Sequence, residues 1–504
     1  MASLRVLAGQ TAIYGMSSII GRVLTFLLTP LYTRVFSAGE YGVITELYAY
    51  VAFLIVFLTF GMETAFFRFG SQTQDESERR RYFSTAFIAV GTLSAVFLLL
   101  LHLFNQPVAN ALGYGDERIF ILYFGWIIAL DAIVTIPLAR LRMLNKPIPF
   151  AGINIASVLA YIALNLFFIL YCPYALENTG ALGHNLIALH YNPDFGVGYI
   201  FLANVMSSGF RFALLLPYLI DLKAGFDAAI MRRLFKYAYP LLILGIAGIC
   251  NETFDRAFFK DLSPLPNALA EIELGIYGAC YKVAMLLSIG IQAYRFAAEP
   301  FLFAQTKGLQ RDEGQSRIMR YYFVAALFIA LSIALFLDLA LILIGPEFRA
   351  GAGVIPILLL AYVCFGAVFN LSFWYKLNDK TLYGAFIAIA GAVVTVGINI
   401  WLVPILSYYG SALATLAAYL VMLALSFGLG QKHYPIAYPL RTIGLYVATA
   451  IACFVLNREF PLYGLLKYVS SAFFLACFLF VIIWHEKRYF RDGILARITN
   501  FHRF

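Results

Sequence analysis

Apolar residues run through this chain in long, nearly unbroken stretches, such as Thr11 to Pro30, Val43 to Gly61 and Tyr321 to Leu337. A run of roughly 17–25 apolar residues crosses the ~30 Å hydrocarbon core of a bilayer as helix. Fourteen such runs lie near 11–33, 43–66, 83–105, 118–138, 150–172, 197–220, 236–258, 274–298, 320–344, 353–375, 381–403, 409–430, 441–457 and 462–484. The pattern predicts an all-α polytopic membrane protein.

Composition agrees with the pattern and removes one class of function. Of the 504 residues, 62% are hydrophobic and 12% charged, with mean hydropathy +0.83. A soluble domain carries about 25% charged residues. A water-facing surface cannot hide this surplus, so a soluble multidomain enzyme is excluded.

The net charge of +9 would suggest nucleic acid in a soluble protein. Here the basic residues sit in short connections, where they set orientation and meet anionic lipid. With the N-terminus placed in the cytoplasm, the inside connections and the tail hold 25 Lys or Arg, the outside connections six, and the spans five. The bias keeps its sign at essentially every connection, which supports fourteen spans and two cytoplasmic termini together. A missed or invented span would break the alternation.

Six cysteines (172, 250, 280, 364, 453 and 477) lie mostly in apolar runs without paired spacing and read as small core residues. The largest outside connection, Pro173 to Pro193, carries His184 and His190 at a spacing that does not suit a helical metal site. It reads as a solvated loop. No metal-ligand set and no catalytic constellation stands out. Two inside segments are amphipathic, Ala228 to Tyr237 and the tail after Glu486, and both are expected to lie flat at the headgroups.

An internal repeat organises the spans. Tyr41-Gly42 and Tyr277-Gly278 open spans two and eight at an offset of 236, and the same offset carries Glu63 onto Glu299. Arg22 matches Arg256, and Asn165 matches Asn399, at an offset of 234. The outside connection after span five is longer than its counterpart by about twenty residues, an insertion between Pro173 and Asp194. Two pseudo-symmetric six-helix lobes follow: 1–220, then a cytoplasmic linker at 221–236, then 237–430, with two extra spans and a basic tail at 431–504. An even number of spans per copy makes the repeats parallel and places a cavity between the lobes near mid-membrane.

The residues that carry the repeat also carry a family likeness. Pro30-Leu31-Tyr32-Thr33-Arg34 before Tyr41-Gly42, then Gly61 and Arg68, resembles the opening of bacterial polysaccharide-repeat-unit flippases. The run Lys236-Tyr237-Ala238-Tyr239-Pro240, then Asp255-Arg256, Gly275-Ile276-Tyr277 and Glu299-Pro300, is similar to the start of their second half. Asn399, Pro404 and Gly410 through Tyr419 resemble their eleventh and twelfth spans. That group belongs to the multidrug/oligosaccharidyl-lipid/polysaccharide exporter superfamily. The resemblance implies lobes that rock between inward-open and outward-open states. It also implies an undecaprenyl-diphosphate-linked oligosaccharide as cargo, moved from the cytoplasmic to the periplasmic leaflet of a bacterial inner membrane. Polysaccharide assembly proteins are the partners it would suggest, around a monomeric transporter.

Charged residues inside spans are the candidates for chemistry. A basic residue at a span centre costs ~2.5–3.5 kcal/mol on insertion scales, so each should face a wet cavity or a partner. Arg22 and Arg256 are first choices for gripping a lipid diphosphate, with Lys282 and Arg295 as further candidates, because guanidinium forks suit phosphate oxygens. The competing role for each is structural pairing; for Arg256 the partners would be Glu252 and Asp255. Asp131 and Arg211 read as an ion pair within the first lobe. Glu46 and Lys282 occupy equivalent positions in the two copies and suggest a gate, or simply interfacial placement. Glu63 with Arg68, and Glu299 with Arg295, read as locks at cytoplasmic ends. Asn251, Glu252 and Asp255 form the best cluster for a coupling Na+ or proton.

Two rival functions remain. A cation-coupled multidrug exporter would share fold and repeat but favour an acidic cavity. A membrane-embedded polysaccharide-modifying enzyme would need a His or Asp cluster or sizeable loops, and the six histidines are scattered. No Gly-rich loop followed by Gly-Lys-Ser/Thr occurs, which argues against ATP hydrolysis.

Overall fold

The computed structural model describes the backbone of residues 2–304, 309–377, 380–459 and 462–501. Side chains are described for 13–219, 222, 225–295, 298, 313–376, 380–459 and 462–487. Among the described residues the chain is helix joined by turns, with no strand. Among the described residues fourteen helices are long and apolar enough to cross a membrane, as the run lengths predict. They are Ile13–Val35, Ala38–Gln72, Glu76–Leu103, Arg118–Met143, Pro147–Glu177, Gly198–Leu219 and Ala228–Ala257 in the first half. Asn267–Arg295, Glu313–Leu335, Val354–Lys376, Thr381–Leu406, Tyr408–His433, Leu440–Glu459 and Leu465–Lys487 follow, and all are numbered below as spans one to fourteen.

Several spans are interrupted for identifiable reasons. Span two stops at Thr59, passes through two left-handed residues, Phe60 (φ 52°) and Gly61 (φ 69°), and restarts at Met62. A side chain at Gly61 would be strained by that φ and would crowd Leu241 and the Ala238 carbonyl of span seven, so glycine suits the position twice over. Spans four, seven and eleven carry internal prolines at 137, 240 and 404. Span five contains one π-helical turn at Phe167–Tyr171.

The chain forms two compact units. One comprises Met1–Lys282, Ile344–Ala350 and Ala388–Ala418. Within it span one packs on span five, span six on four and five, and span two on four and seven. Part of its core joins Phe66, Phe83, Ile128 and Ile136 to Ile230 and Leu234. That contact corrects one expectation. Residues from Ala228 to Tyr237 do not lie flat as a separate surface helix; they are the first turns of a continuous helix, Ala228–Ala257, capped by Asp227. The apolar stripe covers protein instead of headgroups.

The other unit comprises Val283–Leu343, Gly351–Ile387 and Tyr419–Phe504. Here span nine packs on spans ten, thirteen and fourteen, and thirteen on fourteen. A buried polar knot holds the last two spans. Arg320 of span nine lies 3.3 Å from Glu486 of span fourteen, whose other oxygen accepts from Tyr446 of span thirteen at 2.8 Å. The helix of span fourteen continues to Phe501; the side chains of the amphipathic tail lie outside the described residues.

Candidate functional site

Helix periodicity sets one wall of the site. On span two, Tyr41, Ile44, Thr45, Tyr48 and Ala49 recur at helical spacing and face a cavity of about 390 Å3 inside the first unit. Spans one, four, five, six, seven and eight close it. Four charged side chains line it: Asp131, Arg211, Arg256 and Lys282.

Asp131 of span four and Arg211 of span six stand together, Nη1 to Oδ1 at 3.7 Å. Ser208 Oγ donates to the same Asp131 oxygen at 2.9 Å, and Arg211 Nε donates to Ser157 Oγ at 3.1 Å. Arg256 lies flat over the Tyr281 ring, 3.8 Å from its centroid, with Nε 3.4 Å from Asp255 Oδ1. It also donates to the Glu252 backbone carbonyl, so the i−4 partner expected from sequence is the main chain and not the exposed Glu252 carboxylate. Lys282, half-buried, has no hydrogen-bond or ion-pair partner among the described residues. The cavity lining therefore holds three cations and one carboxylate, with the Asp255 carboxylate beside Arg256.

A phenol and amide network forms the polar floor. Tyr32 donates to Asn165 Oδ1 at 2.8 Å and shares a 3.0 Å contact with Tyr161; Asn204 donates to Tyr48 at 2.8 Å. These five residues tie spans one, two, five and six. Two of the five carry a signal in the sequence: Tyr32 lies in the motif before Tyr41-Gly42, and Asn165 matches Asn399 at the offset of 234. In both asparagines, Nδ2 donates to the carbonyl four residues back and Oδ1 accepts from a hydroxyl on another helix, Tyr32 or Ser411.

Other predicted residues fall elsewhere. Arg22 is exposed on span one, one turn from the cavity residue Thr25, with no ion-pair partner among the described residues. Arg295 belongs to the second unit and stacks over Phe369 at 4.1 Å. Glu299 has its side chain outside the described residues. Asn251, Glu252 and Asp255 do not converge. Asn251 bonds Ala388 and Thr395 of span eleven, Asp255 accepts from Tyr277 of span eight at 2.5 Å, and Glu252 is exposed.

Two expected pairings are replaced. Glu63 bonds Arg142 of span four, while Arg68 stacks 4.5 Å over Tyr237. Five residues turn a helix by about 500°, so Glu63 and Arg68 point apart. Glu46 pairs at 3.0 Å with Lys260 and not with Lys282. Lys260 also lies 3.3 Å from Glu271 and 3.1 Å from the Leu112 carbonyl. Tyr114, in the connection after span three, donates to Glu46. Burial, and then the neighbouring Glu46 carboxylate, pushes the Tyr114 phenol up, so it keeps its proton as a donor.

The whole chain is similar in fold to known membrane transporters. Its structure matches a lipid II flippase, MurJ, in an inward-closed conformation with TM-score 0.69 and 12% identity, over 95% of this chain and 99% of that one. It matches the multidrug transporter DinF-BH, in a ligand complex, with TM-score 0.60 and 12% identity, over 86% and 96% of the two chains. An inward-facing multidrug resistance transporter of the same superfamily gives 0.57 and 13%, over 86% and 94%. At these identities the likeness is one of fold. No curated protein is significantly similar to the chain in sequence. A family model does match, across residues 7–304, more than half the chain. This protein is a member of the polysaccharide biosynthesis protein family.

Proposed function

We propose that the protein is a flippase that moves undecaprenyl-diphosphate-linked oligosaccharide from the cytoplasmic to the periplasmic leaflet by alternating access. The observation that carries this reading is the charge of the cavity lining: Arg211 and Arg256, each beside one carboxylate (Asp131 and Asp255), with Lys282 as the cation in excess. A low-dielectric cleft lined by excess positive charge concentrates a bulky anion. Arg22, one turn beyond the cavity edge, extends the same field toward the N-terminal end of span one. Tyr48, Tyr161 and Asn204 offer hydroxyls and an amide beside the charges, which suits a polar sugar.

Membership of a polysaccharide biosynthesis family and a fold shared with a lipid II flippase both favour lipid-linked cargo. The multidrug transporters of the same fold supply the alternative. A cationic drug would meet Asp131 already engaged by Arg211. The positive-inside bias supports placing both termini in the cytoplasm, and a bacterial inner-membrane location follows from the proposed cargo. Coupling to Na+ or protons belongs to the same proposal, with the buried Asp255 as its carboxylate.

The test uses purified protein in liposomes with a fluorescent undecaprenyl diphosphate sugar, scored by its accessibility in the opposite leaflet. A cationic dye runs in parallel. Lipid translocation lost in Lys282→Met, Arg256→Gln and Arg22→Ala supports both cargo and site. Dye efflux without lipid movement turns the reading to a drug exporter. Wild-type flipping by all three variants would remove the head-group role.

A further inference from the structure

We propose that the connection between spans five and six is a lipid-binding element: its short helix seats leucines in the bilayer, and the cavity beneath holds an acyl chain of a bilayer phospholipid. The sequence marks this connection as an insertion, absent from the matching place in the second copy. From 178 to 193 it contains no Asp, Glu, Lys or Arg. A solvated loop of that length normally carries charge.

The structure gives the segment a shape. Span five presents an exposed apolar stripe, Leu159, Leu166, Leu170 and Tyr174, at helical spacing. A stripe of this kind on a membrane-spanning helix faces lipid. At its end the helix passes through the π turn Phe167–Tyr171. Such turns are rare and cluster at functional positions. The chain then reverses through Gly183 (φ 74°) into the helix His184–His190. Leu182, Leu186 and Leu189, spaced i, i+4 and i+7, are 88%, 68% and 75% exposed. Leu186 and Leu189 lie on the helix and Leu182 just before it, and the connection folds back on the end of span five, where Tyr171 donates to the Leu182 carbonyl and His184 Nδ1 meets the Ala175 carbonyl.

Beneath that helix lies a cavity of about 490 Å3, bounded by Phe167, Phe168, Leu186, Ile187, Tyr191 and Tyr199. Its size falls in the roughly 300–1,000 Å3 range of small-molecule sites. One wall is rigid, because Tyr199 is stacked between Tyr191 at 4.5 Å and Phe168 at 5.2 Å. The walls are carbon-rich, with Cys172 and His190 also lining them and no Asp, Glu, Lys or Arg, which favours hydrocarbon over a peptide with charged termini. Continuity with the lipid face of span five identifies the source of that hydrocarbon as the surrounding bilayer.

The test places the full chain in liposomes containing a phospholipid with a diazirine in its acyl chain, irradiates, and maps adducts by mass spectrometry. A second set carries the diazirine on a prenyl diphosphate. The expected result is phospholipid adducts on residues 167–199. In Leu186→Asn/Leu189→Asn their yield should fall at least about tenfold, because two leucine side chains withdrawn from hydrocarbon carry more than two methylene equivalents. Adducts on span nine should not change. Both leucines are exposed, so the thermal midpoint of the variant in detergent should match wild type. Adducts from the prenyl probe alone, cross-links to a second copy, or a yield indifferent to the substitution would each overturn the proposal. Capture is scored without transport, so it stands or falls separately from the flippase reading.

Discussion

Removing the ammonium of Lys260 tests the energetic reasoning most directly. Its Nζ lies 3.0 Å from Glu46, 3.3 Å from Glu271 and 3.1 Å from the Leu112 carbonyl. The Lys260, Glu46 and Glu271 side chains are 6%, 1% and 21% exposed, so solvent screens them little. At an effective dielectric of about 20, each ion contact at about 3 Å is worth about 5 kcal/mol before desolvation is subtracted. Desolvation of three ions offsets most of that attraction, so the net worth of the cluster is small. Breaking it is different. Lys260→Met keeps the stem volume but leaves the buried Glu46 and the half-buried Glu271 carboxylates without a cation, and losses of this kind run about 3–5 kcal/mol.

Glu46→Gln should cost less, about 1–3 kcal/mol, because Lys260 keeps Glu271 and the Leu112 carbonyl. The double variant should lie above the sum of the two by a coupling of about 1–3 kcal/mol. The assay is the thermal unfolding midpoint of all four proteins in one detergent. The expected order is wild type, Glu46→Gln, then Lys260→Met, with the double variant no lower than Lys260→Met. A Lys260→Met protein that melts with wild type, or strict additivity in the double variant, would refute the cluster as a coupled buried unit.

Other outcomes follow from the same structure. A Cβ at Gly275 would overlap the Ala38 carbonyl and the Gly42 amide, backbone on both counts, so Gly275→Ala should destabilise by about 1–3 kcal/mol or more. Gly397→Ala, with nothing within 4 Å of its Cβ, should be neutral or stabilising by up to about 1 kcal/mol, read by the same melting assay. Glu63 and Arg142 are 38% and 36% exposed, so Glu63→Gln should change stability by less than about 1 kcal/mol despite the close contact. The amides of Ile230 and Ala229, with Arg81 beyond them, hold the Asp227 carboxyl below its usual range. A depressed folded pKa contributes stability that is whole above the unfolded value of about 3.9 and is lost as pH falls through the folded one. The protection factors of the 228–234 amides should therefore hold at about pH 5 and fall as pH drops below the unfolded value of about 3.9, and Asp227→Ala should remove that pH step.

The pairing of Asn165 with Asn399 is legible in the sequence as a shared offset, the spacing that a duplicated helix would keep. The structure adds what the amides do: each closes one bond on its own helix and one across to a neighbour. The cluster at Lys260 left no comparable trace. Its members come from span two, the connection after span three, the turn after span seven and the start of span eight, and no local pattern links them. Tyr48, Tyr161 and Asn204 were hidden for another reason. In a chain that is 17% aromatic, a cavity tyrosine has the same sequence neighbourhood as a lipid-facing one.

What the chain determined alone is the number of spans, because bilayer thickness converts directly into a run length that can be counted. Loop charge carries an expected orientation on the same one-dimensional terms. Partner choice belonged to the tertiary structure. Glu46 meets Lys260 and not Lys282, Glu63 meets Arg142 and not Arg68, and the amphipathic stripe of Ala228–Tyr237 covers protein and not headgroups. Chain position sets the depth of a side chain and its angle about its own helix. Which neighbour stands opposite depends on how helices cross and where connections return, and those are decided only when every apolar face has found something to pack against.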